Sequence, residues 1–251
     1  GTLRIDAANG FAYPALDLAV ERLCEIAPAQ GIAFAGIRRS GHCGAMGLFV
    51  ERLARRGLIA LMVANTPAAM APWGGRRALF GTNPIACAFP HEPDPVVIDL
   101  SLSKVARGKI LAARQRGEVI PEGWALDAEG RPATEPEIAL RGTMIPAGDA
   151  KGAALALMVE ALAAGATGAC YAADASSFLD AEGKPPGTGQ MLIAIAPEAG
   201  GGSAVHLATL FAAIAEDPGA RLPGARRYAS RRRAGAEGLA VPAAWFEEAA
   251  G

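Results

Sequence analysis

The chain lacks closely spaced cysteines: Cys24, Cys43, Cys87 and Cys170 stand far apart and form no CxxC pair. Its three histidines are scattered as well, so no metal-ligand spacing arises and no metal is expected. Isolated thiols fit a reducing compartment, and a cytoplasmic location is expected. An excess of charge of either sign is also missing, since 24 basic residues meet 25 acidic ones. That balance excludes bulk attraction to nucleic acid or to a membrane surface. The local exception, Arg226-Arg227 with Arg231-Arg232-Arg233, reads as a solvated helix face. The longest apolar stretch, Gly152 to Ala173, contains Glu160 and reads as a core helix rather than a membrane span. The opening residues carry Arg4 and Asp6 on either side of Ile5, unlike a signal peptide. Nucleotide fingerprints are absent: Gly41, Gly44 and Gly47 do not make a GxGxxG, and no GxxxxGK[ST] occurs.

What is present is apolar patterning. Hydrophobic residues make up 51% of 251, enough for one large domain or two small ones. Leu16, Val20, Leu23 and Ile26 form a helical stripe after Pro14, and Met46, Phe49, Val50 and Leu53 form a second that stops at Arg55-Arg56-Gly57. Strands are expected over 32–37, 58–64, 84–89, 96–100 and 190–196. The uninterrupted apolar run 58–64 marks a sheet covered on both faces. Helices are expected over 103–115 with Ser103 as cap, 151–165, 203–216 and after Pro223. Residues 118–146 read as a polar surface excursion and 180–189 as a loop. Alternating elements of this kind predict an α/β fold.

The chemistry-bearing residues gather between Ser40 and Pro84. His42 stands between Gly41 and Cys43-Gly44 at the mouth of a helix. An isolated histidine there reads as a helix cap. Beside Asn65-Thr66, Trp73-Gly74-Gly75 and Thr82-Asn83 it reads equally as a proton donor, with an ordinary pKa of about 6.5 suited to that work. Cys43 as a thiolate nucleophile is disfavoured, because adjacent side chains seldom face each other and no third group orients them. His91 reads as a loop residue and His206 as a satisfied core residue. Asp99, at the end of an apolar strand, suits either orienting a base and holding a cofactor hydroxyl or capping a helix. Lys151-Gly152 opens a helix whose free N–H groups can hold an anion, or else presents a solvated charge. His42, Asn65-Thr66 and Asp99 are expected to converge on one pocket.

Several blocks, Ser40 to Gly44, Ala64 to Arg76, Gly81 to Ala86, Val97 to Ile110, Ala150 to Glu160 and Leu222 to Arg227, resemble the malate/L-lactate dehydrogenase family. The resemblance runs from Arg4 to about Glu247. It implies the fold typified by sulfolactate dehydrogenase, a nicotinamide-binding mixed sheet covered by helices and not a Rossmann fold. It also implies NAD or NADP as cofactor and reduction of a small 2-oxo acid, or of a cyclic 2-imino acid. The block from Asn65 to Gly75 looks closest to the Δ1-piperideine-2-carboxylate/Δ1-pyrroline-2-carboxylate reductase branch. Carried over by position, His42 and Asp99 would be catalytic, and Thr66, Met70 and Trp73 would line the substrate. Asn65, Thr82, Asn83, Pro84, Asp99, Leu100, Ser101, Ser103, Lys151, Gly152, Pro223 and Gly224 would hold the cofactor. Relatives often have Glu where this chain has Ala225.

Members of this family pair as homodimers, so a homodimer with a small-molecule acid as substrate is expected, and no nucleic-acid or membrane partner. They begin with a helical segment containing Asp-Ser-His-Gly and an arginine, which the resemblance makes another proton-donor histidine and a clamp for the substrate carboxylate, and no such block occurs in these residues. Residues 1–251 are therefore expected to be the nicotinamide-binding and catalytic core without that segment. The rival expectation is an inactive binding or assembly domain lacking it. A further expectation is an open apolar face beside Leu16, Val20 and Leu23 and the Trp73 turn.

Overall fold

The structure, a computed structural model, describes residues 1–180, 182–241, 243 and 245. Position 181 of the expected loop and positions 242, 244, 246 and 247 of the resembling stretch lie outside the described residues.

Six strands build the central sheet: β1 (Thr2–Asp6), β2 (Ile32–Ser40), β3 (Ile59–Ala64), β4 (Ile85–Phe89), β5 (Val96–Leu100) and β9 (Thr188–Ile195). Their order is β1-β2-β9-β3-β4-β5. β1 runs parallel to β2, and every other neighbouring pair is antiparallel. This is the expected mixed sheet, and the antiparallel insertion of β9 between β2 and β3 sets it apart from the all-parallel Rossmann arrangement. β9 sits centrally, with Leu192 opposite both Ala35 and Met62, so its residues are apolar on both faces.

One face is covered by α1 (Ala12–Gln30) and α2 (Gly47–Ala54). Leu16, Val20, Leu23, Val50 and Leu53 point into the core there, against Ile37, Met62 and Leu192. The α1 stripe is thus closed by the sheet, while Phe11, Tyr13 and Leu18 beside it and Trp73 on its turn stay exposed, in keeping with the expected open apolar surface. The opposite face carries α5 (Ala150–Glu160), which continues as a π-helical turn over Ala161–Gly165. A second core forms here from Met70, Ile110, Met144, Val159 and Met191.

Residues 118–146 are corrected from a surface excursion to a small packed layer. β6 (Ala125–Leu126), β7 (Pro132–Ala133) and β8 (Thr143–Met144) make a three-stranded sheet ordered β7-β6-β8, flanked by α4 (Pro136–Arg141). Ile120, Ala125, Ala133, Ala139 and Met144 bury themselves in the second core. Helix α3 (Arg107–Arg116) begins four residues after Ser103. Ser103 does not cap it, because its hydroxyl donates to the Val105 carbonyl at 2.7 Å instead.

Two α-helices of several turns follow β9 among the described residues. α6 (Ala204–Glu216) is capped by the Ser203 hydroxyl, which accepts from the His206 N–H. His206 is exposed, not in a core, because α6 buries only Phe211 among the apolar residues on its length. α7 (Ala225–Glu237) corrects the solvated-arginine expectation in part. Arg231 donates to the buried Glu51 at 2.7 Å and Arg232 to Asp94 at 2.6 Å, and both Arg55 and Arg231 lie over the Tyr228 ring. Those contacts dock α7 onto α2 and onto the segment before β5.

Gly189 lets β9 meet the π-helical turn. A Cβ placed there would stand 2.0 Å from the Ala163 carbonyl oxygen, which is backbone and has no rotamer to yield. Gly189→Ala is expected to destabilise the chain by roughly 1–3 kcal/mol, the range for overpacking a filled interior. A drop in urea midpoint at constant m-value would show it. An unchanged midpoint would mean that the layer tolerates the shift.

Candidate active site

Three loops leave the same edge of the sheet and enclose a cavity of about 430 Å³. β2 ends at Ser40 and delivers His42; β3 ends at Ala64 and delivers Thr66 to Ala69; the segment before β4 delivers Thr82. The first turn of α3 adds Arg107, and the segment after the π-helical turn adds Ala172 and Phe178.

His42 stands exposed at the mouth, with its ring edge-on to Phe178 at 5.2 Å. Its Nδ1 accepts from the Gly44 N–H at 3.1 Å, which leaves the neutral ring's proton on Nε2. Partial burial lowers its pKa below the ordinary 6.5, because the charged ring loses solvent. Cys43 beside it is buried, and burial pushes its thiol up to about 12. A thiol held neutral is no nucleophile, which disposes of the cysteine alternative.

Thr66 and Thr82 face each other across the cavity floor. The Thr82 N–H donates to Thr66 Oγ1 at 2.9 Å. Gly81 makes this approach possible: a Cβ there would fall 2.2 Å from both Thr66 oxygens.

Beneath them lies a buried polar network centred on Glu160. Its Oε1 accepts from Asn65 Nδ2 at 3.1 Å and from the Ala172 N–H at 2.7 Å, and its Oε2 accepts from Asn83 Nδ2 at 2.8 Å. Asn65 Oδ1 accepts from the Gly189 N–H at 2.8 Å, and Asn83 Nδ2 also donates to the Ala156 carbonyl at 2.9 Å. Asn65 and Asn83 are thus fully buried supports of the cavity wall. Glu160 ties β3, β4, α5 and the 170–173 segment together at the point where α5 widens into the π-helical turn. Such bulges recur at functional sites.

The remaining positions form a band that starts at Thr82. The Leu102 N–H donates to the Thr82 carbonyl, the Ala147 N–H to the Leu102 carbonyl, and Ser103 bridges Pro146. That band brings Ser101 and Ser103 beside the start of α5, where Lys151 is exposed and Gly152 packs against Ala147. Asp149, just before it, adopts φ 56, a strained conformation for a residue with a side chain. Pro223-Gly224 packs on β5, where the Val97 N–H meets the Pro223 carbonyl at 3.4 Å. Arg221, Arg226 and Arg227 line a groove of about 370 Å³ around that turn. Pro84 enters β4, and Leu100 is exposed at the end of β5.

Asp99 does not reach the cavity. Its Oδ2 accepts from the Gly47 N–H at 2.7 Å, so it caps α2 from a neighbouring strand. The expected convergence is therefore corrected: His42 and Thr66 share the cavity, Asn65 supports it from behind, and Asp99 lies outside its lining. Met70 is corrected too, since it is fully buried in the second core beside Phe80 and Met144. Trp73 is exposed and lines a separate groove with Arg76 and Asp149. Arg107 and Glu160 went unsuspected as site residues. For Glu160 the signal was present, a lone carboxylate inside a long apolar stretch.

Comparison with known proteins gives a consistent picture. The family model described as malate/L-lactate dehydrogenase matches residues 1–249. The chain is 53% identical to the (2R)-3-sulfolactate dehydrogenase (NADP(+)) of Chromohalobacter salexigens, over 98% of this chain and 74% of that protein. It is 42% identical to the Δ1-pyrroline-2-carboxylate/Δ1-piperideine-2-carboxylate reductase of Pseudomonas aeruginosa, over 99% of this chain and 76% of that one. Among solved structures, the Δ1-piperideine-2-carboxylate reductase of Pseudomonas syringae superposes with a TM-score of 0.87 at 38% identity, covering 97% of this chain and 74% of that one.

Proposed function

From the premise that the chain belongs to the malate/L-lactate dehydrogenase family, we propose that residues 1–251 form a nicotinamide-binding and catalytic core. The activity is that of an NAD(P)H-dependent oxidoreductase that reduces a small 2-oxo acid or a cyclic 2-imino acid, with His42 as the proton donor. The observation that carries the site assignment is the cavity that joins His42 to Thr66 and Thr82.

NAD or NADP supplies the hydride when bound. The residues present fit a dinucleotide: Ser101, Ser103, Lys151 and Gly152 are contiguous with Thr82, and the Pro223-Gly224 turn carries arginines suited to a phosphate. One of them, Arg227, has a buried Nη1 with no hydrogen-bond partner among the described residues.

As imidazolium, protonated on both nitrogens and so without the Gly44 N–H contact of the neutral ring, His42 passes its Nε2 proton to the oxygen of the 2-oxo acid being reduced and keeps the Nδ1 proton. With a cyclic imine it keeps the ring nitrogen protonated. Phe178 and the alanines of the wall limit water beside the reacting carbon. Apolar side chains left exposed on α5 (Leu155, Leu157, Met158) and on α6 (Val205, Leu210) support a homodimer. Four free thiols support a cytoplasmic setting. No helix among the described residues is long and apolar enough to cross a membrane.

The test is nicotinamide absorbance on mixing the full chain with NADPH or NADH and pyruvate, oxaloacetate or Δ1-piperideine-2-carboxylate. Oxidation of the cofactor that depends on one of these acids is the expected result. Cofactor oxidation with none of them would remove the reductase assignment.

A further inference from the structure

We infer that Arg107 is a carboxylate-recognising residue of this cavity, an inference that rests on the reading of the cavity as the substrate site. Arg107 is the first residue of α3, and its side chain turns inward to line the cavity with His42, Thr66 and Thr82. Among the described residues its guanidinium makes one hydrogen bond, Nη1 to the Ala68 carbonyl at 3.1 Å, and no ion pair. Its Nε is buried with no acceptor at all. Burial without an acidic partner also lowers its pKa from the usual arginine value, yet a guanidinium stays charged at neutral pH.

A half-buried cation with an orphaned N–H is a cost to the fold unless something returns the missing acceptor. Among the described residues the cavity lining offers none, for it contains no Asp or Glu. Arg227 shares the feature of a buried, unpartnered N–H, but it lies outside this cavity, and several other arginines are matched within the chain. Arg55, Arg231 and Arg232 each pair with a carboxylate of the chain. Arg107 is left for a ligand, and the ligand that matches a planar fork of N–H donors is a carboxylate.

The rest of the lining agrees with a small acid. Apart from His42 and Arg107, the polar side chains are the hydroxyls of Thr66, Thr82 and Ser177, and the remainder is apolar. An acid anchored by Arg107 through its carboxylate is fixed by a group that the reaction does not change. The adjoining carbonyl or imine carbon is then presented to His42 and to the hydride. A 2-oxo amide, which has lost the charge but kept the carbonyl, would forfeit this anchor.

The experiment compares the full chain with Arg107→Gln and Arg107→Lys, using pyruvate and its uncharged analogue pyruvamide, by turnover and by isothermal titration. Arg107→Gln is expected to raise the KM and Kd for pyruvate by roughly 10- to 100-fold, the value of a hydrogen bond to a charged group. The cofactor KM should stay within about twofold. Pyruvamide should bind the original chain and Arg107→Gln equally, and Arg107→Lys should restore part of the pyruvate affinity. Equal losses for pyruvate and pyruvamide, or no loss for either, would overturn the inference. Pyruvate that binds in an Arg107-dependent way but is not turned over would keep the inference and remove the reductase reading. Turnover indifferent to Arg107 would do the reverse.

Discussion

Glu160→Ala is expected to destabilise the chain by about 3 kcal/mol or more, the largest stability effect of any single substitution in the cavity wall. The carboxylate is buried and receives three donors. Removing it leaves the Ala172 N–H with no acceptor in the present arrangement, at about 1–3 kcal/mol for one such buried group, and opens a cavity besides. Glu160→Gln is the sharper probe because it keeps the volume. Asn65 is pinned by the Gly189 N–H and Asn83 by the Ala156 carbonyl, so neither amide can turn over freely. Whichever way a glutamine amide lies, its NH₂ meets a donor. A fall in denaturant midpoint for both variants is expected, with a raised substrate KM because Thr66 and Ala172 lose their support. A Glu160→Gln chain as stable as the original would show that the wall does not depend on a carboxylate.

His42→Ala is expected to lower turnover by roughly 10²–10⁴-fold, the usual contribution of a positioned acid–base group, with little change in cofactor affinity. Its pKa carries a sign. Because burial lowers it below 6.5, the free chain holds His42 neutral at pH 7. With pyruvate, kcat/KM for reduction should fall as pH rises through that lowered value, and the oxidation of the 2-hydroxy acid should show the opposite dependence. The same shift bears on stability: the unfolded chain binds the proton more readily. The contribution of His42 is therefore intact above pH 6.5 and is lost as pH falls through the folded value. A variant with near-normal turnover and an unchanged pH profile would return His42 to the role of helix cap.

The central strands and the α1 and α2 helices were legible because each is a strong apolar run or stripe. β1 was not, since Leu-Arg-Ile-Asp alternates on an edge strand that is only half buried. The 118–146 layer escaped because strands of two residues carry no periodicity. Within the site, His42, Thr66 and Thr82 stood out by their glycine-rich surroundings. Met70 and Trp73 misled, because they share a sequence block with Thr66 while the chain turns away between them. Met70 pairs with Phe80 in the second core, and Trp73 emerges into another groove. Arg107 was invisible as a site residue: in Arg-Gly-Lys it is one charge among several at a helix start. Only the fold reveals that no carboxylate among the described residues pairs with it. Glu160 was visible as an anomaly, but its three donors come from residues 12 to 95 positions away and belong to the tertiary structure alone.

The central claim is that the acid is bound and reduced in the cavity of His42 and Arg107 rather than in the groove of Trp73. The most direct measurement is a crystal structure of the full chain with oxidised cofactor and pyruvate. The account predicts density for pyruvate with its carboxylate on Arg107 and its carbonyl oxygen toward His42 Nε2, while the Trp73 groove holds none. Pyruvate seated against Trp73, with the His42 cavity empty, would contradict it.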